Sequence, residues 1–127
     1  MGSSQQADAP KREPVHILSA STDPGLNTAR AQLLRHYGFH VVSTESKQEA
    51  HEHIEQQNFH VLIFGSTLPR DTCWQLAGAF RRRNAKGKII EIVPTPWAAP
   101  KNQPDAIVVS SEEPEKLITT IRGALSG

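Results

Sequence analysis

Five short apolar runs, separated by stretches of helical periodicity, constrain this chain more than any other feature. They are residues 15–20 (VHILSA), 39–43 (FHVVS), 61–64 (VLIF), 89–93 (IIEIV) and 106–109 (AIVV). Each is rich in Val and Ile and bounded by turn residues, the composition of strands buried on both faces.

The intervening segments carry helix signals. Asp23-Pro24 offers an N-cap followed by proline at the first helical position. Leu26, Ala29, Leu33 and Tyr37 then recur at helical spacing, and Gly38 stops the helix. Ser46 with Glu49 reads as a capping box ahead of Ala50 and Ile54. Asp71 is the expected cap of a third helix whose buried face is Cys73, Leu76, Ala77 and Phe80. Pro114 opens a last helix with the stripe Leu117, Ile118, Ile121 and Leu125. Regular alternation of strand and helix implies a parallel sheet covered on both faces. The expected fold is therefore α/β, a five-stranded doubly wound sheet of flavodoxin type in the order 2-1-3-4-5.

One connection breaks the pattern. Residues 94–105 (PTPWAAPKNQPD) hold Pro94, Pro96, Pro100 and Pro104, so the fourth helix is shortened or replaced by a loop with at most one turn. Glu91, in the middle of a strand, is expected to reach water across the face that a helix has vacated. Trp97 is expected to fold back over that face, with anchoring of a partner as its competing role. Trp74 lies beside the core face of the third helix and is expected near the surface.

Charge and composition exclude whole classes. Fourteen Lys and Arg against 13 Asp and Glu give a net charge of +1, without the basic excess of a general nucleic-acid binder. One cysteine, Cys73, rules out an intrachain disulfide and a cysteine-cluster zinc site, and its place on an apolar helix face favours core packing. No apolar run approaches the ~18 residues of a membrane span. Residues 1–14 lack the apolar stretch of a signal peptide and read as a flexible, solvated N-terminal arm. That leaves 15–127 as one domain, expected in the cytoplasm. Of six histidines, His51 and His53 diverge on a helix, and His36 and His40 straddle Gly38. No three converge, so no metal and no cofactor is expected. The densest basic run is Arg81-Arg82-Arg83 with Lys86 and Lys88, at the end of the third helix. It reads as a solvated helix end that complements the macrodipole, or as a contact for phosphate or an acidic partner. No aromatics interleave it as nucleic-acid stacking would require.

With Asp23-Pro24, Gly38, the Leu68-Pro69 ending and Pro114-Glu115 in this order, the chain resembles the receiver domain of two-component response regulators over about residues 15–125. ILSASTDPGLNTARAQLLRHYGFHVVS looks like a receiver's first strand, first helix and second strand. NFHVLIFGSTLP looks like its third strand and following loop, and SSEEPEKLITTIRGAL like the end of its fifth strand and its last helix. The resemblance implies a phosphorelay signalling module, not an enzyme. It also implies chemistry at the strand C-termini: two acids and a phosphoacceptor Asp holding Mg²⁺, with a hydroxyl and a Lys on the phosphoryl oxygens.

Carried over residue by residue, that chemistry is missing. The acidic pair falls on Ser21 and Thr22, and the acceptor on Gly65. The hydroxyl falls on Val93, or on Thr95 if the proline-rich loop shifts the register by two. The Lys falls on Ser110, and the proline that follows it on Ser111. No Asp or Glu lies between Phe59 and Arg70, so a small register shift does not restore the acceptor. The expected function is that of a degenerate pseudo-receiver, a phosphorylation-independent signalling module acting through an unidentified protein partner or a second copy of itself. Trp97 with Arg81, Arg82 and Arg83 is its candidate partner surface. The alternative is an unorthodox receiver or small-ligand sensor using a hydroxyl-lined crevice of Ser21, Thr22, Ser66, Thr95, Ser110 and Ser111. A third reading is nucleic-acid contact through Arg81, Arg82 and Arg83.

Overall fold

A computed structural model describes residues 14–126. The strands are β1 (His16–Ala20), β2 (His40–Thr44), β3 (Val61–Phe64), β4 (Lys88–Val93) and β5 (Ala106–Val109). The helices are α1 (Pro24–His36), α2 (Lys47–Gln56), α3 (Arg70–Arg83) and α4 (Glu115–Ser126), with a 3₁₀ turn at Ser110–Glu112. The strands form one parallel sheet in the order β2-β1-β3-β4-β5, as expected. The expected N-terminal arm lies, apart from Pro14, outside the described residues. No helix among the described residues is long and apolar enough to cross a membrane.

Alternation along each strand divides the core into two layers. Leu18, Leu62, Phe64 and Ile89 pack against Ala50 and Ile54 of α2 and Cys73, Leu76, Ala77 and Phe80 of α3. Ile17, Ile63, Ile90, Ile92 and Val108 face Ala31 and Leu34 of α1 and Leu117, Ile118 and Ile121 of α4. The two layers lie on opposite faces of the sheet and leave its two ends, where the loops gather.

Local signals explain most element ends. Asp23 accepts a hydrogen bond from the Leu26 amide at 3.1 Å. The end of α1 is a Schellman motif: Phe39 N donates to Leu34 O and Gly38 N to Arg35 O, with Gly38 at φ +94°. Phe39 and Leu34 then share the same core layer. Ser46 caps α2 through Glu49 N as expected. The Glu49 carboxylate meets Thr44 Oγ1 at 3.0 Å, and Thr44 Oγ1 accepts from Ser46 N, so the capping box closes through a third residue.

Two expectations are corrected. The buried face of α1 is Asn27, Arg30, Ala31 and Leu34, while Leu26 and Tyr37 are exposed. Helix α1 is rotated by about one residue because two polar side chains find partners inside. Asn27 bonds to Ser19 Oγ at 2.7 Å, and Arg30 forms a two-point ion pair with Glu113 at 2.8 and 3.1 Å. Asp71 does not cap α3. The helix starts at Arg70 from Pro69, without a side-chain cap, and Asp71 sits in the first turn, where its charge suits the dipole.

Candidate functional site

In a sheet of this order, ligands bind outside the strand C-termini. Here that end is closed. Ser21 and Gly65 directly follow β1 and β3. Ser21 is 2% exposed, donates its amide to Thr44 O at 3.2 Å and accepts from Asp23 N at 3.1 Å. Gly65 N donates to Ala20 O at 2.8 Å. A Cβ at Gly65 would lie 2.8 Å from Ser21 Oγ and 2.9 Å from Ser21 Cβ, so no side chain fits without a shift. Just outside, the hydroxyls of Thr22 and Thr67 meet at 2.6 Å and tie the two loops together. Beneath them Asn27 donates to Thr44 O and to Glu45 Oε2, at 3.1 and 2.9 Å.

The connection from β4 to β5 forms the other wall. It contains no helix, only a turn with Ala98 N on Thr95 O. It works as a strap across the layer of α2 and α3. The Lys101 ammonium donates to Ser66 O and Leu68 O, both at 2.6 Å, and the Lys101 amide donates to Glu91 Oε2 at 2.5 Å. Asn102 donates to Cys73 O at 3.1 Å, and Arg81 to Gln103 O at 2.9 Å. Asp105 accepts from Ile89 N at 2.7 Å and pairs with Arg81 at 3.5 Å.

Two expectations about this face therefore change. Glu91 does not reach water. It is 2% exposed, because the strap backbone lies over it and supplies a donor, while Oε1 has no partner. Trp97 does not cover the face. It is 83% exposed, since Lys101 and Glu91 already anchor the strap. Cys73 is buried in the core as expected, and its thiol is pushed up to about 11, by burial first and the Glu91 charge second.

The remaining predicted site residues scatter. Val93 is buried and Thr95 half-buried. Ser66 contributes its carbonyl to Lys101. Ser110 and Ser111 are exposed in the 3₁₀ turn, and Ser110 lines a groove between α1 and α4 with Arg30 and Glu113. Of the arginines, Arg81 is engaged by the strap, and Arg83 donates to Asn58 Oδ1 and Glu55 O at 3.1 and 2.8 Å.

The opposite end of the sheet holds a group that the sequence reading overlooked. His16 is level with His40 in the register of β1 and β2. His60 precedes Val61, which is level with Ile17, so it falls beside His16. The ring centroids of His16 lie 5.0 Å from His40 and 6.0 Å from His60, and His16 N donates to His60 Nδ1 at 3.0 Å. The signal was present: His16, His40 and His60 each stand directly before two aliphatic residues (HIL, HVV, HVL) at the start of an apolar run or just ahead of it. Parallel pairing of adjacent strands brings these starts together. Among the described residues no group of three or more His, Cys, Asp or Glu is placed to hold a metal ion.

No protein-family model and no curated protein sequence matches the chain. Solved structures do. A response regulator receiver protein from Sinorhizobium medicae is 23% identical, with a TM-score of 0.76 over 91% of this chain and 97% of its own. The chemotaxis response regulator CheY4 of Vibrio cholerae is 16% identical, with a TM-score of 0.75 over 88% and 99%. The regulator TrrA of Thermotoga maritima, solved with Mg²⁺ and a beryllium fluoride, is 21% identical, with a TM-score of 0.70 over 87% and 98%. TrrA has also been solved in complex with the histidine kinase ThkA. At these identities the likeness establishes the shared CheY-like fold.

Proposed function

We propose that this chain is a receiver-like signalling module of the phosphorelay class that acts by protein–protein contact and without aspartyl phosphorylation. The carrying observation is the closeness of Gly65 to Ser21. In the reading that places the phosphoacceptor at Gly65, the acceptor is absent, and a Cβ 2.8 Å from Ser21 Oγ would require Ser21 to shift. The Mg²⁺ of active receivers does not fit either. A hard dication needs carboxylate oxygens, and Ser21 and Thr22 supply hydroxyls, already bonded to Asp23 N and Thr67 Oγ1. The neighbouring acid, Asp23, spends Oδ1 on the Leu26 amide. No step is derived through the metal.

Partner contact is supported by the likeness to a regulator solved with its kinase. It is supported further by exposed Trp97 and Trp74, since tryptophan is enriched at interface hot spots. The test is incubation with Mg²⁺ and acetyl phosphate, read by intact mass. The expected spectrum is unmodified; an acid-labile phosphoryl adduct on this chain would overturn the proposal.

A further inference from the structure

At the N-terminal end of the sheet, a cavity of about 290 Å³ opens between the start of β3 and the turn that follows α3. Its polar lining is Arg83, Lys86, His60, Asn58 and Asn84, and its apolar lining is the half-buried Leu125 with the edge of the buried Phe59. Among the described residues no carboxylate lines it.

The internal hydrogen bonds use up the acceptors and leave the donors. Asn58 Oδ1 is taken by Arg83 Nε, and Asn84 Oδ1 by Phe59 N. His60 Nδ1 is taken by His16 N, which fixes the ring proton of neutral His60 on Nε2. Arg83 is held by Asn58 and by Glu55 O, through Nε and Nη1 alone. Its other N–H groups remain, on a guanidinium whose orientation is already set. A pre-positioned fork loses little further freedom on binding, and its geometry matches phosphate oxygens. Gly87 keeps the turn tight, since a Cβ there would lie 2.5 Å from the Phe80 ring.

We propose that this cavity binds a small phosphomonoester. Its phosphoryl oxygens meet Arg83, Lys86 and His60 Nε2, and its organic part rests on Leu125, beside the edge of Phe59. The volume lies just below the usual range for ligand cavities, roughly 300–1,000 Å³, which suits a small monoester and not a dinucleotide. The proposal is independent of the signalling role. It concerns the end of the sheet away from Ser21 and Gly65.

The test is titration of the full ¹⁵N-labelled chain at constant pH and matched ionic strength. The probes are inorganic phosphate, phenyl phosphate, benzoate and chloride. Saturable shifts at the Phe59, Lys86 and Gly87 amides are expected with both phosphates, severalfold tighter for phenyl phosphate. Lys86→Ala should weaken binding about fivefold and Lys86→Glu abolish it, with unchanged melting curves, because the Lys86 side chain is exposed. Shifts that are linear and equal for chloride would overturn the proposal. So would equal affinity for benzoate, no gain from the phenyl group, or saturation unchanged by Lys86→Glu.

Discussion

At the C-terminal end of the sheet, polar groups meet one another; at the N-terminal end, donors are left over. Thr22 bonds Thr67, Ser21 fills the space a side chain at Gly65 would need, and Lys101 is consumed by two carbonyls. Across the molecule, Arg83, Lys86 and His60 line an open cavity with their acceptor neighbours already committed. Both ends belong to one sheet and share its hydrophobic layers. The difference teaches that the fold fixes where loops gather, and that the side chains decide which end still has bonding capacity. A closed C-terminal end and an open N-terminal end are separable properties, and mutations should affect them separately.

The largest expected effect is at the closed end. Gly65→Asp forces a carboxylate against Ser21 and should destabilise by about 3 kcal/mol, at the upper end of the range for overpacking. Ser21→Gly in the same chain should recover part of that loss, a coupling that denaturant melts of the two single variants and the double variant will measure. If Gly65→Asp is as stable as the parent, the crevice is open and the contrast fails.

Next is the strap. Lys101→Met keeps the length of the side chain and removes its bonds to Ser66 O and Leu68 O. A loss of about 2 kcal/mol is expected, from a charged donor and two carbonyls left without it. Hydrogen exchange should rise across residues 94–105 and leave β1 and β2 protected. Uniform protection would mean that the prolines alone hold the strap.

At the open end the corresponding change is smaller. His60→Ala removes the acceptor of the His16 amide and should cost about 1 kcal/mol. It should also weaken phosphate binding while leaving Gly65 and Ser21 resonances in place. Shifts at both ends would show that the two are coupled through β1 and β3.

The sheet was legible because strands buried on both faces must be nearly continuous in Val and Ile, and because Pro94, Pro96, Pro100 and Pro104 exclude a helix whatever their surroundings. Helix α1 was misread because hydropathy alone put Leu26 and Tyr37 inside. Asn27 and Arg30 are buried through partners 8 and 83 residues away in sequence, which no local pattern contains. The same holds for Glu91. Its burial depends on Lys101, ten residues on, and on how the strap lies. His16, His40 and His60 were individually visible, but their alignment needed the strand register. A histidine at or just before the start of each of three apolar runs is a pattern that periodicity within any one run does not test.

Cys73 offers a pH-dependent probe of the layer beneath the strap. Its thiol titrates near 11 when folded and at about 9 when unfolded. Between those values the unfolded chain releases the proton and the folded chain keeps it, so stability should fall as pH rises from 9 to 11 and be unaffected below 9. The measured quantity is the difference from Cys73→Ala across that window. An equal slope in both chains would mean that the thiol is not shielded.

The smallest expected effect separates two ways of closing the sheet face. If indole packing helped to cover Glu91, removing Trp97 would expose a buried carboxylate and cost well over 1 kcal/mol. With Trp97 83% exposed and the strap anchored through Lys101, Trp97→Ala should change stability by less than about 0.5 kcal/mol. Fluorescence gives a second readout. Trp97 should emit as a solvated indole and account for the larger share of quenching by iodide, with the half-exposed Trp74 contributing less. A large loss of stability, or a blue-shifted and protected Trp97, would move the closure from the Lys101 bonds to the indole. The exposed side chain would then no longer be available to a partner.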